Sequence, residues 1–118
     1  MQVIISAKGI ELTDAVKEYV EKKIGSLEKF YDKILRAHVV VGKENQHHLK
    51  GKVFVAECKL EVPGNDLFAS KNELSLHKAI DKVRDYLEQE LKKHKVMTRE
   101  KLKKDKRKVR DSKEYKIE

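Results

Sequence analysis

Lysines recur along one side of the last long amphipathic stretch of the chain, residues 73–95. Their positive charge and regular spacing could bind anionic groups. Lys78, Lys82 and Lys92, with Lys71 just before the stretch, return to a similar side of a helix, and Lys93 lies beside the last of them. A row of ammonium groups can bind phosphate oxygens without reading bases. A solvated helix surface is the simpler alternative, because acidic residues are interspersed. Lys78, Lys82, Lys92 and Lys93 are therefore candidate phosphate contacts.

An apolar stripe on another side of the same stretch predicts the helix that would position these lysines. Its members recur at steps of three and four and are Leu76, Ile80, Val83, Leu87 and Leu91. Ser70, Asn72 and Ser75 are all candidate N-caps for this helix. We expect one face to pack on a core and another to be cationic.

A second helix is predicted near the start of the chain, with Thr13 as its N-cap and an apolar stripe that continues to residue 31. Lys22, Lys23 and Lys29 lie away from the centre of that stripe. The chain thus offers basic surfaces on two helices.

Four strands are predicted between and before these helices. Their expected ranges are residues 2–8, 34–43, 50–62 and, after a turn at 63–66, 67–70. The order β-α-β-β-β-α predicts an α+β fold in which the first two strands pair in parallel and the later strands form an antiparallel meander. We expect a four-stranded sheet with both helices packed on one face.

The balance of charge predicts an anionic partner. The 118 residues carry 28 Lys+Arg against 20 Asp+Glu, a formal net charge of +8. Nucleic acid is the common polyanion, and an anionic membrane surface is the less common one. The chain has neither an apolar run that could span a bilayer nor a signal peptide, so we expect a soluble, cytoplasmic protein.

The excess charge divides the chain in two. Residues 1–95 have a net charge of +3 and residues 96–118 one of +5. We therefore expect a folded domain over residues 1–95 and a basic, mostly disordered tail or linker over residues 96–118.

Few residues could support catalysis or hold a metal. The chain has no phosphate-cradling Gly-rich loop and no nucleophile motif. Cys58 falls at an inward strand position, and His47 and His48 are adjacent in a loop without metal-ligand spacing. We expect no enzyme activity, no cofactor, no metal and no small-molecule substrate.

Several motifs, in order, resemble those of the ribosome hibernation promoting factors and ribosome-associated inhibitors, formerly called sigma-subunit modulation proteins. They are Ile4-Ile5-Ser6-Ala7-Lys8 through Thr13-Asp14-Ala15-Val16, Leu27-Glu28-Lys29-Phe30, residues 63–70, and Ala79-Ile80-Asp81. The resemblance covers residues 1–95. This chain departs from the family pattern at His77, where an aromatic is usual, and at Gln89, where a basic residue is frequent.

The resemblance implies a factor that enters the small ribosomal subunit between head and body, blocks the mRNA and tRNA sites near the decoding centre, and silences translation under stress or in stationary phase. A second hibernation factor is a further candidate partner. The candidate contacts to ribosomal RNA are Lys22, Lys23, Lys29, Lys78, Lys82, Lys92 and Lys93. Long family members join two ribosomes through a C-terminal domain, so we expect this chain to inhibit single ribosomes without pairing them.

Two alternatives remain open at this point. A general double-stranded RNA-binding module also has three strands followed by a helix, but it usually carries a lysine cluster where this chain has Ser75-Leu76-His77-Lys78. A protein–protein modulator without RNA contact is the other alternative, and its binding would respond little to salt.

Overall fold

The computed structural model describes the backbone of residues 1–44 and 51–117, and the side chains of residues 1–44 and 51–96. Its elements, in chain order, are β1 (Gln2–Lys8), α1 (Asp14–Gly25), a 3₁₀ helix (Ser26–Lys29), β2 (Arg36–Lys43), β3 (Phe54–Val62), β4 (Asn65–Glu73) and α2 (Leu76–Ile117). The predicted β-α-β-β-β-α order and α+β class are confirmed.

The four strands form one mixed sheet in the order β1-β2-β3-β4. β1 pairs with β2 in parallel, with Ile5 opposite Val39. β2 pairs with β3 and β3 with β4 in antiparallel register, so that Cys58 lies opposite both Val39 and Ala69. The parallel first pair requires a crossover, which α1 supplies, and the two antiparallel pairs that follow form the meander.

Alternation along the strands directs one sheet face to the core. Ala56, Cys58, Leu60 and Val62 of β3 are all buried, whereas Lys59 between them is exposed. α1 and α2 add their apolar stripes to the same cluster, through Val20, Ile24 and Leu27 and through Ile80, Val83, Leu87 and Leu91. Burial of two apolar stripes against the same face of the sheet is the main stabilising contribution here. Both helices therefore cover one face of the sheet, as predicted.

The hairpin between β3 and β4 is tighter than the predicted turn at residues 63–66. Val62 pairs directly with Asn65, so only Pro63 and Gly64 form the turn. Gly64 has φ of +85°, a conformation open to glycine, and the chain therefore reverses within two residues. The returning strand predicted at 67–70 is confirmed, but it is longer than predicted, because the early reversal allows β4 to run from Asn65 to Glu73.

Other boundaries also differ from prediction. β3 begins at Phe54 rather than at residue 50, because Gly51 makes a turn with φ of +83° before the ladder starts. α1 ends at Gly25, where glycine has low helix propensity and the hydroxyl of Ser26 donates to the carbonyl of Lys23 at 2.6 Å. The chain then continues as the 3₁₀ helix rather than as a longer α-helix.

The last helix begins later and ends later than the predicted helix at residues 73–95. Glu73 belongs to β4, and α2 begins at Leu76 because the Ser75 hydroxyl caps it. α2 continues to Ile117 and so crosses the expected boundary between residues 95 and 96. The division into a domain and a tail stays a prediction. Among the described residues, no helix has the length and apolarity needed to cross a membrane.

Candidate nucleic-acid interface

The start of α2 places Lys78 on an exposed first turn. The backbone N–H of Lys78 donates to the Ser75 hydroxyl at 3.2 Å, and the N–H of Ala79 donates to the Ser75 carbonyl at 3.1 Å. The first of these bonds satisfies a donor that a helix start leaves without a helical partner, and the second is the first hydrogen bond of the helix itself. Ser75 is thus the cap among the three predicted candidates. It fixes Lys78 on the outer side of α2, where its side chain is exposed.

Lys82 lies one turn after Lys78 and is tied to the end of β4. Its ammonium group pairs with the carboxylate of Glu73, which is the buried charged residue of the described core and is only 4% exposed. The hydrogen bond from Lys82 lowers the pKa of Glu73 below its ordinary value, and the nearby charges of Lys82 and Lys52 act in the same direction. Lys82 therefore compensates a charge of the fold as well as facing solvent.

The seam between α1 and α2 is held by a tyrosine, an aspartate and a lysine. The Tyr19 hydroxyl donates to the Asp81 carboxylate at 2.5 Å, and the Lys23 ammonium lies 3.6 Å from the same oxygen. The hydrogen bond to Asp81 raises the pKa of Tyr19 to about 12, with burial and the aspartate charge adding to it. His77 packs edge-on against Tyr19, with ring centroids 4.3 Å apart. His77 thus makes an aromatic contact at the position where the sequence departs from the family pattern.

Arg84 forms the next layer of the seam. Its guanidinium donates to the Ser26 hydroxyl at 3.1 Å and to Glu88 at 2.6 Å, and its side chain is 19% exposed. The guanidinium also lies 5.4 Å from the centre of the Phe30 ring. Lys92 shares both partners, at 3.2 Å from Glu88 and 5.1 Å from the Phe30 ring centre. The two cations hold the pKa of Glu88 below its ordinary value.

The seven predicted lysines therefore fall into two groups. Four of them have an acidic partner within 4 Å, and we call them the paired set: Lys23, Lys82, Lys92 and Lys93, the last with Glu90 at 3.6 Å. The others form no ion pair with any side chain described in residues 1–44 and 51–96, and we call them the unpaired set: Lys22, Lys29 and Lys78. All three are exposed.

The structure spreads these lysines over two sides of the helix pair instead of one continuous stripe. Lys23 and Lys92 border the seam with α1, where Asp81 and Glu88 neutralise them. Lys82 faces β4, on the far side of α2 from the seam. An RNA surface that spans both helices would thus have a charge-compensated centre and cationic flanks.

One lysine–tyrosine contact on the β4 side was missed from the sequence, because Lys71 lies on β4 and not on the same helix as the other lysines of the stripe. The ammonium of Lys71, on β4, lies 4.9 Å from the centre of the Tyr86 ring on α2. The ring of Tyr86 is 42% exposed. The signal that could have found it is the four-residue step from Lys82 to Tyr86, which puts the ring on the lysine side of the helix.

Among the residues that the structure describes, those considered for catalysis or metal binding do not assemble into such a site. Cys58 is fully buried, and burial raises the pKa of its thiol to about 12, so the nucleophilic thiolate is suppressed. Within the described part of the chain, no three His, Cys, Asp or Glu side chains group as metal ligands. His47 and His48 lie outside the described residues.

The chain is similar to proteins of one known family along most of its length. Residues 3–110 match the family described as Sigma 54 modulation protein / S30EA ribosomal protein. A ribosome hibernation promoting factor of Pseudomonas putida is 36% identical over 95 residues, which are 80% of this chain and 87% of the relative. One from Azotobacter vinelandii is 38% identical over 95 residues, 80% of this chain and 83% of the relative. The crystal structure of the Thermus thermophilus Protein Y N-terminal domain superposes with a TM-score of 0.65 at 30% identity, covering 80% of this chain and 99% of that one.

Proposed function

Because the chain belongs to the Sigma 54 modulation protein / S30EA ribosomal protein family, we propose that it silences translation by binding the small ribosomal subunit near the decoding centre. The family consists of ribosome hibernation factors, which bind ribosomes and are not enzymes. In this proposal the chain occupies the path of mRNA and tRNA, so that a ribosome carrying it cannot initiate.

The observation that carries the proposal is the set of exposed lysines on two adjacent helices that cover the same face of the sheet. α1 and the 3₁₀ helix supply Lys22 and Lys29, and α2 supplies Lys78. None of the three has an acidic partner among the described side chains, so their ammonium groups remain available for phosphates. Folded RNA is recognised largely through its shape and its phosphates, for which a rigid cationic surface suffices.

The four-stranded sheet supplies the rigidity that this recognition needs. Both helices bury their apolar stripes against it, and the seam fixes one helix against the other through Tyr19, Asp81 and Arg84. Lysines anchored this way keep their spacing when RNA approaches, so less conformational entropy is lost on binding. In this proposal the paired set contributes after its acidic partners give way to phosphates, and the unpaired set contributes first.

The partners and the location follow from the same premise. We assign the small ribosomal subunit and its ribosomal RNA as the target, with a second hibernation factor as a further partner on the ribosome. A factor that acts on ribosomes works in the cytoplasm. Residues 1–95 are the ribosome-binding part in this proposal, and residues 96–118 add ten basic residues of general attraction to RNA.

Co-sedimentation with separated ribosomal subunits at rising salt tests the target. We expect the chain to pellet with small subunits and with whole ribosomes, to release as salt rises, and to be displaced by mRNA and tRNA. An in vitro translation assay with the same preparation should show dose-dependent inhibition. Equal affinity for any RNA duplex would identify a general double-stranded RNA binder instead, and salt-independent binding would identify a protein–protein modulator.

A further inference from the structure

The β4 side of α2 presents an aromatic ring among cations. Tyr86 is 42% exposed, and the Lys71 ammonium lies 4.9 Å from the centre of its ring. Lys82 precedes Tyr86 by one helical turn, and Lys93 follows it by two. The side chains of Lys82 and Lys93 are 55% and 71% exposed. An exposed ring flanked by lysines at one-turn and two-turn spacing is a combination that neither the core nor the seam requires.

The chemistry of this cluster matches single-stranded RNA. Unpaired bases stack on tyrosine rings, while lysines on either side take the phosphates that precede and follow the base. An exposed cation–π contact such as that of Lys71 is weaker than the stacking of a base, so a base can take its place on the ring. The displaced ammonium of Lys71 then lies within reach of the phosphate backbone.

We propose that Tyr86 is a stacking platform for an unpaired nucleobase of ribosomal RNA, with Lys71 and Lys82 holding the adjoining phosphates. This inference rests on the proposed function and adds a base contact to a surface otherwise expected to read phosphates alone. It also gives Lys71 a role that was not assigned to it from the sequence.

Salt titrations of small-subunit binding separate stacking from charge. We expect Tyr86→Ala to weaken binding about 5- to 150-fold at every salt concentration, which is the ~1–3 kcal/mol of one stacked base at ~1.4 kcal/mol per tenfold. The slope of log affinity against log salt should stay unchanged, because no phosphate contact is lost. Lys71→Ala should instead flatten this slope by about 0.7–0.9, the contribution of one phosphate contact. Tyr86→Phe keeps the ring and should bind like the wild type.

Matched controls keep the result interpretable. Phe68→Ala removes an aromatic that is 58% exposed on the opposite, open face of the sheet, and it should leave binding unchanged. Alanine is favoured in an exposed helix position, so circular dichroism should show Tyr86→Ala folded. Equal affinity of Tyr86→Ala and the wild type would overturn the stacking site, as would a loss on Phe68→Ala as large as that on Tyr86→Ala.

A fluorescence measurement tests the stacking contact directly. The chain has no tryptophan, so Tyr86→Trp introduces a single reporter at the platform. We expect its emission to be quenched by small subunits and by a single-stranded oligoribonucleotide, and not by an abasic oligonucleotide with the same number of phosphates. Equal quenching by the abasic strand would overturn the proposal. Failure of the wild-type chain to bind small subunits would overturn the proposed function, whereas intact wild-type binding without quenching would overturn only the stacking site.

Discussion

Replacement of the unpaired set by glutamine should remove a larger part of the salt dependence of ribosome binding than replacement of the same number of paired lysines. The triple variant carries Lys22→Gln, Lys29→Gln and Lys78→Gln. Glutamine keeps most of the side-chain length and a similar helix propensity, so the change is one of charge. The matched control carries Lys23→Gln, Lys92→Gln and Lys93→Gln, which alter the net charge equally. Lys82 stays in both proteins because it compensates the buried Glu73.

The magnitude follows from the ion pairs of the structure. Each phosphate that an unpaired ammonium neutralises contributes about 0.7–0.9 to the slope of log affinity against log salt, so three of them contribute about 2.1–2.7. Over a fourfold rise in salt, such a slope amounts to a change of about 20- to 40-fold in affinity. A paired lysine must first leave its carboxylate, and the freed carboxylate then repels the RNA. The control should therefore flatten the slope by a clearly smaller amount.

Co-sedimentation with small subunits across a salt series, with the bound fraction quantified at each concentration, measures both slopes. Thermal unfolding of each variant at the same salt concentrations shows whether a change in binding reflects a loss of folded protein. Equal slopes for the two variants, or a larger loss in the control, would refute the division into paired and unpaired lysines.

Three further predictions concern the fold that holds this surface. Lys82→Gln should lower the melting temperature at neutral pH. Because Lys82 lowers the pKa of Glu73, the ion pair stabilises the fold above the ordinary carboxyl pKa, and this stabilisation is lost as pH falls through the lowered pKa of Glu73. The difference in melting temperature between variant and wild type should therefore disappear in acid, and a difference that persists there would contradict the pairing. Leu87→Ala, at a fully buried position, should reduce the free energy of unfolding by about 2–5 kcal/mol in urea titrations, and a loss as small as that of an exposed residue would contradict its place in the core. Cys58, whose thiol pKa burial raises to about 12, should react with a thiol-specific chromogenic reagent only after denaturant is added, whereas prompt reaction of the native protein would show an accessible thiolate.

Periodicity alone predicted most of the fold, because two strong patterns each have one structural solution. The alternation that ends at Val62 fixed which face of β3 is buried and placed Cys58 in the core. The three-and-four spacing of Leu76 through Leu91 fixed the core side of α2, and Thr13 fixed the start of α1, where its hydroxyl accepts from the N–H of Val16 at 3.3 Å. These patterns are reliable because the spacing of apolar residues reflects which side chains are buried, and burial of apolar area is the dominant favourable contribution to folding.

Element ends and the partners of charges depend on contacts that no local pattern contains. Glu73 is the first residue of the helix predicted from the sequence, but in the structure it ends β4. Its carboxylate can be buried there because Lys82, nine residues later, forms an ion pair with it. The two-residue turn at Pro63 and Gly64 extended β4 beyond the expected range. Likewise, spacing placed Lys23 on a basic surface, and only the packing of α1 against α2 brought Asp81 to it.

The acidic residues of the seam allow two lysine-bearing helices to pack together while other lysines keep their positive charge. Two helices that both carry lysines repel each other when they pack side by side, and a surface that attracts RNA needs those lysines to remain. Asp81 and Glu88 neutralise the cations nearest the seam, whereas Lys22 and Lys78 stay uncompensated on the exposed surface. Lys23 and Lys92 lie at the surface, 38% and 52% exposed, and surface ion pairs add little to stability individually, so the main effect of these two pairs is on where positive charge remains. The ion pairs of the seam therefore set where positive charge remains on the helix surface. An RNA partner should first contact the unpaired lysines on either side of the seam.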